Sequence, residues 1–240
     1  MPEYPISVVI PAYNEESNIA AALESLVHQN TSKPFEVVLV NNASTDRTRT
    51  IAEQFVGKLN LTIIDEPTKG RGSARATGFS RATGDIIFSL DADSIAPPNW
   101  ISSFLPYFSD PDVVAITGVG KINDLSGIEN MTFNIIQPLA TFLAKFFLGT
   151  RWLAGFNFAI RKKAYIQAGG FNRTLNLYED FELGLAVQKT GEIKLAWSPK
   201  VTVSGRRFNK NGFLAGIWEY VISYLQYKNN PETAFLDDPR

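Results

Sequence analysis

The 240-residue chain contains no cysteine and a single histidine, His28. The absence of thiols excludes disulfides, thiolate metal sites and a cysteine nucleophile. It leaves the compartment open, because a chain without cysteine tolerates reducing and oxidising surroundings alike. One histidine excludes clustered-histidine metal sites and argues against a Ser-His-Asp triad. An excess of one charge is missing too: 23 Lys+Arg stand against 24 Asp+Glu. A nucleic-acid binder should be basic, so no nucleic-acid partner is expected. A long unbroken apolar run is also lacking. The most apolar stretch, residues 131–150, is interrupted by Asn134, Gln137, Pro138 and Lys145, whereas a span needs about 20 predominantly apolar residues. The acidic N-terminus MPEYPISVVIPAYNEE enters a strand at once, which does not read as a signal peptide. Cytoplasmic placement is expected, with the inner face of a membrane left open.

What is present is an ordinary globular composition, 45% hydrophobic, enough to build a core in one domain over 1–240. The first half alternates apolar runs at 6–10, 35–40, 59–64 and 85–90 with helical patterns at 16–28 and 70–82. That alternation predicts βαβ units and a parallel sheet. Ser44 is placed to cap the helix that follows it, with Asp46 in the first turn. Beyond residue 94 the pattern predicts helices at 97–108, 126–148, 162–168, 180–189 and 213–227. Strands are expected at 113–117, 156–160, 193–196 and 201–203. No repeat, low-complexity segment or linker divides the chain.

Polar clusters at 11–15, 41–46 and 91–93 each follow a predicted strand. In an open α/β sheet such clusters gather at the carboxyl edge, where ligands bind. FSLDADS at 88–94 is the strongest of them. Two carboxylates one residue apart, Asp91 and Asp93, suit a hard cation such as Mg²⁺ or Mn²⁺ shared with substrate phosphates. A solvated acidic turn is the bland reading of the same residues. A second acidic pair, Glu179-Asp180, opens a predicted helix, where capping is the bland reading. Lys69, Arg71 and Arg75 offer charge-assisted hydrogen bonds to phosphate. The nearby glycines lack a Walker ending and carry little weight.

VVIPAYNEE, VLVNNASTDRT, KGRGSARATGFSRATGD, FSLDAD and GGFN…YEDFELGLAVQKTG occur in this order over residues 6–197. Together they resemble the family-2 inverting glycosyltransferases. The resemblance implies an α/β GT-A fold, Rossmann-like, with a mainly parallel central sheet flanked by helices and a C-terminal acceptor-side helical region. It assigns 1–94 to nucleotide binding and 95–240 to the acceptor side. The implied reaction is metal-dependent transfer, with inversion, from a nucleotide-diphosphate sugar to a hydroxyl acceptor, a glycan or lipid-linked saccharide. A UDP-sugar is favoured, with GDP- and dTDP-sugars open.

Carried over by position, Pro11, Tyr13 and Glu15 line the base and ribose pocket, although Glu15 also suits a helix start. Asn41 stands where the family usually has an Asp that accepts from the base. An Asn carbonyl can accept from a uracil N–H and its amide can also donate, so base identity stays open. Lys69 and Arg75 face the diphosphate, while Asp91, Ala92 and Asp93 meet the metal and diphosphate. Asp180 matches the general base, with Glu179 as its orienting or acceptor-binding neighbour. Trp152, Gly155 and Arg207 fall on the acceptor side, Trp152 being equally readable as core. Arg206-Arg207 reads as a loop over the diphosphate or a basic surface turn. With no histidine beyond residue 28, Mg²⁺ or Mn²⁺ would rest on Asp93 and phosphates, helped by Asp91.

Two other functions compete. A sugar-phosphate nucleotidyltransferase usually opens with a glycine-rich signature containing Arg, whereas PAYNEE stands here. A non-catalytic nucleotide-sugar-binding protein is consistent with the pocket but leaves Asp180 without a task. The apolar stretches 131–150 and 213–227 read as core, a dimer seam, or interfacial helices near a lipid-linked acceptor.

Overall fold

A computed structural model of the chain describes residues 5–206, 208 and 212–229. The strands are β1 (Ile6–Ala12), β2 (Phe35–Asn41), β3 (Leu61–Asp65), β4 (Ile86–Ser89), β5 (Ser94–Ile95), β6 (Val113–Lys121), β7 (Phe158–Arg161) and β8 (Glu192–Val203). The helices are α1 (Ile19–Val27), α2 (Thr48–Glu53), α3 (Arg71–Arg81), α4 (Trp100–Phe104), α5 (Gly127–Leu148), α6 (Lys162–Gln167), α7 (Glu179–Val187) and α8 (Phe213–Asn229). One eight-stranded sheet, ordered β3-β2-β1-β4-β7-β6-β8-β5, runs through both halves.

Successive strand residues point to opposite faces, so each central strand feeds two cores. Val8, Ile10, Leu39 and Phe88 pack with Ile19, Leu23 and Leu26 of α1 and Trp100 and Phe104 of α4. Val9, Val38, Val40 and Ile87 face the other way, onto Phe79 of α3, Tyr165 of α6 and Leu183 of α7. A Cβ at Gly78 would press into Val9 and Val40, which is why α3 can lie close against the sheet.

The parallel expectation holds for β1 with β2 and β4, for β2 with β3, and for β6 with β8. It fails for β7, which runs antiparallel between β4 and β6, and for β5 against β8. β1 also continues through Pro11 instead of ending there. β4 pairs with β1 only as far as Val9↔Ser89, so Pro11 lies past that ladder and its missing N–H costs no bond. The two strands expected at 193–196 and 201–203 are one, β8, whose register on β6 shifts between Gly118 and Gly120. The helix expected at 97–108 is α4 followed by a 3₁₀ turn, Leu105–Ser109.

Ser44 does not cap α2. Its hydroxyl accepts from the Asn14 backbone at 3.1 Å, and α2 begins only at Thr48. Asp46 has the structural task instead, accepting from Thr48 N and Oγ1 and from Glu16 N. Those bonds outweigh burial and hold its carboxyl below the usual range.

α5 opens with a capping box, Ser126 with Glu129. Two of the polar residues that interrupt its apolar sequence, Asn134 and Gln137, face inward, while Lys145 is exposed. Gln137 Oε1 accepts from Gly120 N at 2.9 Å, and Asn134 exchanges bonds with the Ile122 backbone at 2.8 and 3.1 Å. Ile128, Met131, Ile135, Leu139 and Phe146 are exposed. Their spacing of three to four residues puts most of them along one stripe, so this helix is polar toward the sheet and apolar outward.

Candidate active site

The carboxyl ends of β1, β2 and β4 carry the residues singled out from the sequence, and two arginines tie them to the second half of the chain. Arg75, from α3, is 3% exposed. Its Nε donates to Glu179 Oε1 at 3.0 Å, and Nη1 donates to Ser89 Oγ at 2.5 Å and Gly155 O at 3.0 Å. Nη2 donates to Asp91 Oδ1 at 2.6 Å. Burial works against its charge, but Asp91, Glu179 and Asp180 outweigh that and raise its pKa. A buried guanidinium paired this completely is a structural anchor for the acids around it.

Asp180 stands beside this hub and joins it through Gly155. Oδ1 accepts from Trp152 Nε1 at 2.9 Å and from Phe181 N at 2.8 Å, and Oδ2 accepts from Gly155 N at 2.9 Å. It is not a helix cap, because α7 starts at Glu179 after Tyr178, which is left-handed with φ 63°. Burial, and then the neighbouring Glu179 charge, push its carboxyl up to about 7, against Arg75, Trp152 and Gly155. Gly155 has to be glycine: a Cβ there would collide with Arg75 Nη2 and crowd Asp180 Oδ2.

Glu179, expected as an orienting or acceptor-binding neighbour of Asp180, is 3% exposed and accepts from Arg75 Nε. Trp152, readable from sequence as acceptor platform or core, packs on Tyr178 and Phe181 with centroids 5.2 and 5.4 Å away. Tyr224 and Tyr227 of α8 join the same cluster. Tyr178 also meets Ser223 through their hydroxyls at 2.8 Å.

The second arginine is Arg206, which grips Glu15 with both nitrogens at 2.8 and 2.6 Å and reaches Asp93 Oδ2 at 3.0 Å. Arg207, the expected partner, lies outside the described residues. Pro11 pairs with Val40 at the end of β1. Tyr13 is part-exposed beside it, and Lys69 Nζ sits 3.2 Å from its hydroxyl and 5.0 Å from its ring centroid. Asn41 closes β2, 8% exposed. Asn42 clamps the segment before α3, donating to Glu66 O and Thr68 O and accepting from Gly70 N.

Asp91, with its side chain 37% exposed, and Asp93, 19% exposed, flank the buried Ala92. Among the described residues no group of three or more Asp, Glu or His side chains gathers to hold a metal ion. Two carboxylates are nonetheless a fitting donor set for Mg²⁺ or Mn²⁺ whose remaining ligands are phosphate oxygens and water. A shallow depression near Lys33, Lys58 and Asn60 lies at the opposite end of β2 and gathers no such chemistry.

Residues 7–169 match the sequence model described as Glycosyl transferase family 2. The chain belongs to that family. It is 31% identical over 205 residues to a probable glycosyltransferase, YdaM, of Bacillus subtilis, covering 80% of this chain and 48% of that one. It is 32% identical over 126 residues to an undecaprenyl-phosphate 4-deoxy-4-formamido-L-arabinose transferase of Pectobacterium atrosepticum, covering 50% and 38%. The chain therefore spans about half, or less, of the length of these curated relatives. Among solved structures it resembles the mannosyltransferase PcManGT of Pyrobaculum calidifontis in complex with GDP-Man and Mn²⁺. The TM-score is 0.70 and the identity 20%, over 99% of this chain and 67% of that one. It also resembles S. aureus TarS 1-349 in complex with UDP-GlcNAc, with TM-score 0.68 and 19% identity, over 97% and 68%. The fold is GT-A, and the family-2 domain is of the glycosyltransferase class.

Sequence reasoning missed Ser89, Asn42 and the preference for Arg206. Ser89, Asp91 and Asp93 share the parity of an extended segment, which was the available signal for Ser89. For Arg206, only its place in the Arg pair after the last strand pointed to the site.

Proposed function

We propose that this domain transfers a sugar, with inversion at the anomeric carbon, from a nucleotide-diphosphate donor to an acceptor hydroxyl. In this reading 1–94 receives the nucleotide and 95–240 the acceptor, as one domain. The observation that carries it is the Asp180 carboxylate, fixed by Trp152 Nε1 and Gly155 N one residue from the Glu179–Arg75–Asp91 chain. A base held this way takes the acceptor proton as the acceptor oxygen bonds to the anomeric carbon. The bond from that carbon to the diphosphate breaks on the opposite face, and its electrons leave with the diphosphate. The base and the leaving-group site are separate, as inversion requires.

Asp91 and Asp93 would hold Mg²⁺ or Mn²⁺, which when bound supplies positive charge against the leaving diphosphate. Arg206 adds a guanidinium at the same place, and Lys69 a cation beside Tyr13. Tyr13 offers a face for stacking on the base. UDP-sugars remain the favoured donors. UDP-GlcNAc and GDP-Man in the two structural neighbours keep uridine and guanosine donors foremost.

The acceptor we favour is lipid-linked, met at the cytoplasmic face of a membrane. No helix among the described residues is long and apolar enough to cross a membrane. The outward apolar stripe of α5, with exposed Trp197 of β8 packed 5.7 Å from Phe142 of that helix and Trp218 exposed on α8, supports an interfacial placement. A relative acting on undecaprenyl phosphate points the same way.

The test is a thermal-shift screen of nucleoside diphosphates and nucleotide-sugars with and without Mn²⁺, since a ligand of the folded state raises its apparent stability. A shift with one nucleotide-sugar, followed by release of its diphosphate in the presence of acceptor, is the expected result. A screen in which no nucleotide shifts the transition would remove the reading.

A further inference from the structure

Asn41 is ambiguous by chemistry, because its amide carries both a donor and an acceptor. Its surroundings remove the ambiguity. The parallel register sets Asn41 beside Asp65, the last residue of β3. Asn41 Nδ2 donates to Asp65 Oδ1 at 2.8 Å. Arg49, on α2, takes the other carboxylate oxygen, Nη1 to Oδ2 at 2.6 Å, and is itself braced by Glu53 at 3.0 Å. The Asn41 bond, with Arg49 adding to it against slight burial, keeps Asp65 ionised below the usual carboxylate range.

An ionised carboxylate only accepts. Turning the Asn41 amide over would set its oxygen against Asp65, so Nδ2 must face Asp65 and Oδ1 must face away. Oδ1 is buried and receives no hydrogen bond. Buried acceptors without a donor are uncommon in folded proteins, and this one lies at the carboxyl edge of β2, where Ala12 of β1 is its register neighbour and Tyr13 follows.

Resting on the nucleotide-sugar reading above, we propose that Asp65 and Arg49 lock Asn41 as a one-way acceptor that selects nucleobases with an imino N–H. Uracil, thymine and guanine carry that ring donor. Cytosine and adenine present a ring acceptor in its place and would set oxygen against nitrogen lone pair. An unlocked Asn would be indifferent, since its amide could turn to suit either. Asp65 is thus a positioning residue, acting on the base through Asn41.

The experiment is calorimetric titration of the wild type, Asp65→Ala and Asn41→Ala with UDP, GDP, dTDP, CDP and ADP, each with Mn²⁺. The Asp65 side chain is 62% exposed, so its replacement should leave the thermal transition in place. Wild type should bind at least one of UDP, GDP or dTDP about tenfold or more tighter than CDP and ADP, the scale of one hydrogen bond gained against one repelled. Asp65→Ala should narrow that ratio to within about threefold while binding persists, and Asn41→Ala should narrow it likewise. A role confined to stability would lower the transition and leave the ratio intact. An unchanged ratio in Asp65→Ala, or a wild type that prefers CDP or ADP, overturns the proposal. If UDP or GDP binds and its sugar is transferred while selectivity ignores Asp65, only this inference falls. If no nucleotide binds wild type, the parent reading falls with it.

Discussion

The Arg75–Glu179 pair joins two side chains that are each only 4% exposed, on α3 and α7, 104 residues apart. Removing one member of a buried pair strands the other charge. Arg75→Met should therefore cost about 3–5 kcal/mol of stability, read by urea unfolding. Arg75→Met with Glu179→Gln should recover part of that stability and none of the transfer activity, because Asp91 has still lost its partner. A single variant as stable as wild type would mean that the pair is solvated in solution. Asp180 sets the pH dependence. A base must be ionised, so transfer should rise with pH through an inflection near 7, where burial and Glu179 put this carboxyl. Trp152→Phe deletes a hydrogen bond to the anion and should move the inflection upward. A raised folded-state pKa means that the folded chain holds this proton more firmly than the unfolded one. The group's contribution to stability is therefore present in acid and is lost as pH climbs from about 4 to about 7. The difference in melting temperature between wild type and Asp180→Asn should fall across that window. A rate that is flat between pH 5.5 and 8.5 would contradict the assignment.

α5 shows where pattern alone misleads. Its sequence reads as a mostly apolar helix, and apolar residues are ordinarily assigned to a core. Asn134 and Gln137 instead bind backbone groups of Gly120, in the part of β6 beyond its pairing with β7, and of Ile122 just after the strand. Backbone left unpaired by a neighbouring strand needs polar partners, so these two side chains turned inward and the apolar stripe outward. That face belongs to no packing the sequence could reveal. Ile135→Lys with Leu139→Lys should leave the melting temperature within a few degrees of wild type, since these side chains are 61% and 49% exposed. It should abolish co-flotation with liposomes of zwitterionic lipid, which the added lysines do not attract. Flotation that survives the double substitution, or a wild type that never floats, would remove the interfacial role. By contrast, β1, β2, β4 and α3 were legible from the start. Their β-branched runs and small-residue helix agree with the tertiary structure at every level.

Over the whole molecule, the candidate-site residues that were legible are those clustered at strand ends, such as Asp91, Asp93 and Asn41. The links between them were not. Arg206 meets Glu15 across 191 residues, and β7 enters the sheet antiparallel between β4 and β6. Neither distance nor direction of that kind is written in local periodicity. The same long-range pairs bear on the proposed metal. Asp91 is ion-paired with Arg75 and Asp93 with Arg206, and no third acidic or histidine ligand is grouped with them among the described residues. Mn²⁺ alone should bind weakly, with affinity rising at least about tenfold when a nucleoside diphosphate supplies further oxygens. Tight Mn²⁺ binding without nucleotide would contradict this. If Asp180 removes the acceptor proton, sugar transfer and nucleotide binding measured side by side in wild type and Asp180→Asn should separate. Nucleotide affinity should stay within about threefold of wild type while transfer falls by about 10²–10⁴. Transfer at the wild-type rate in Asp180→Asn would contradict that role.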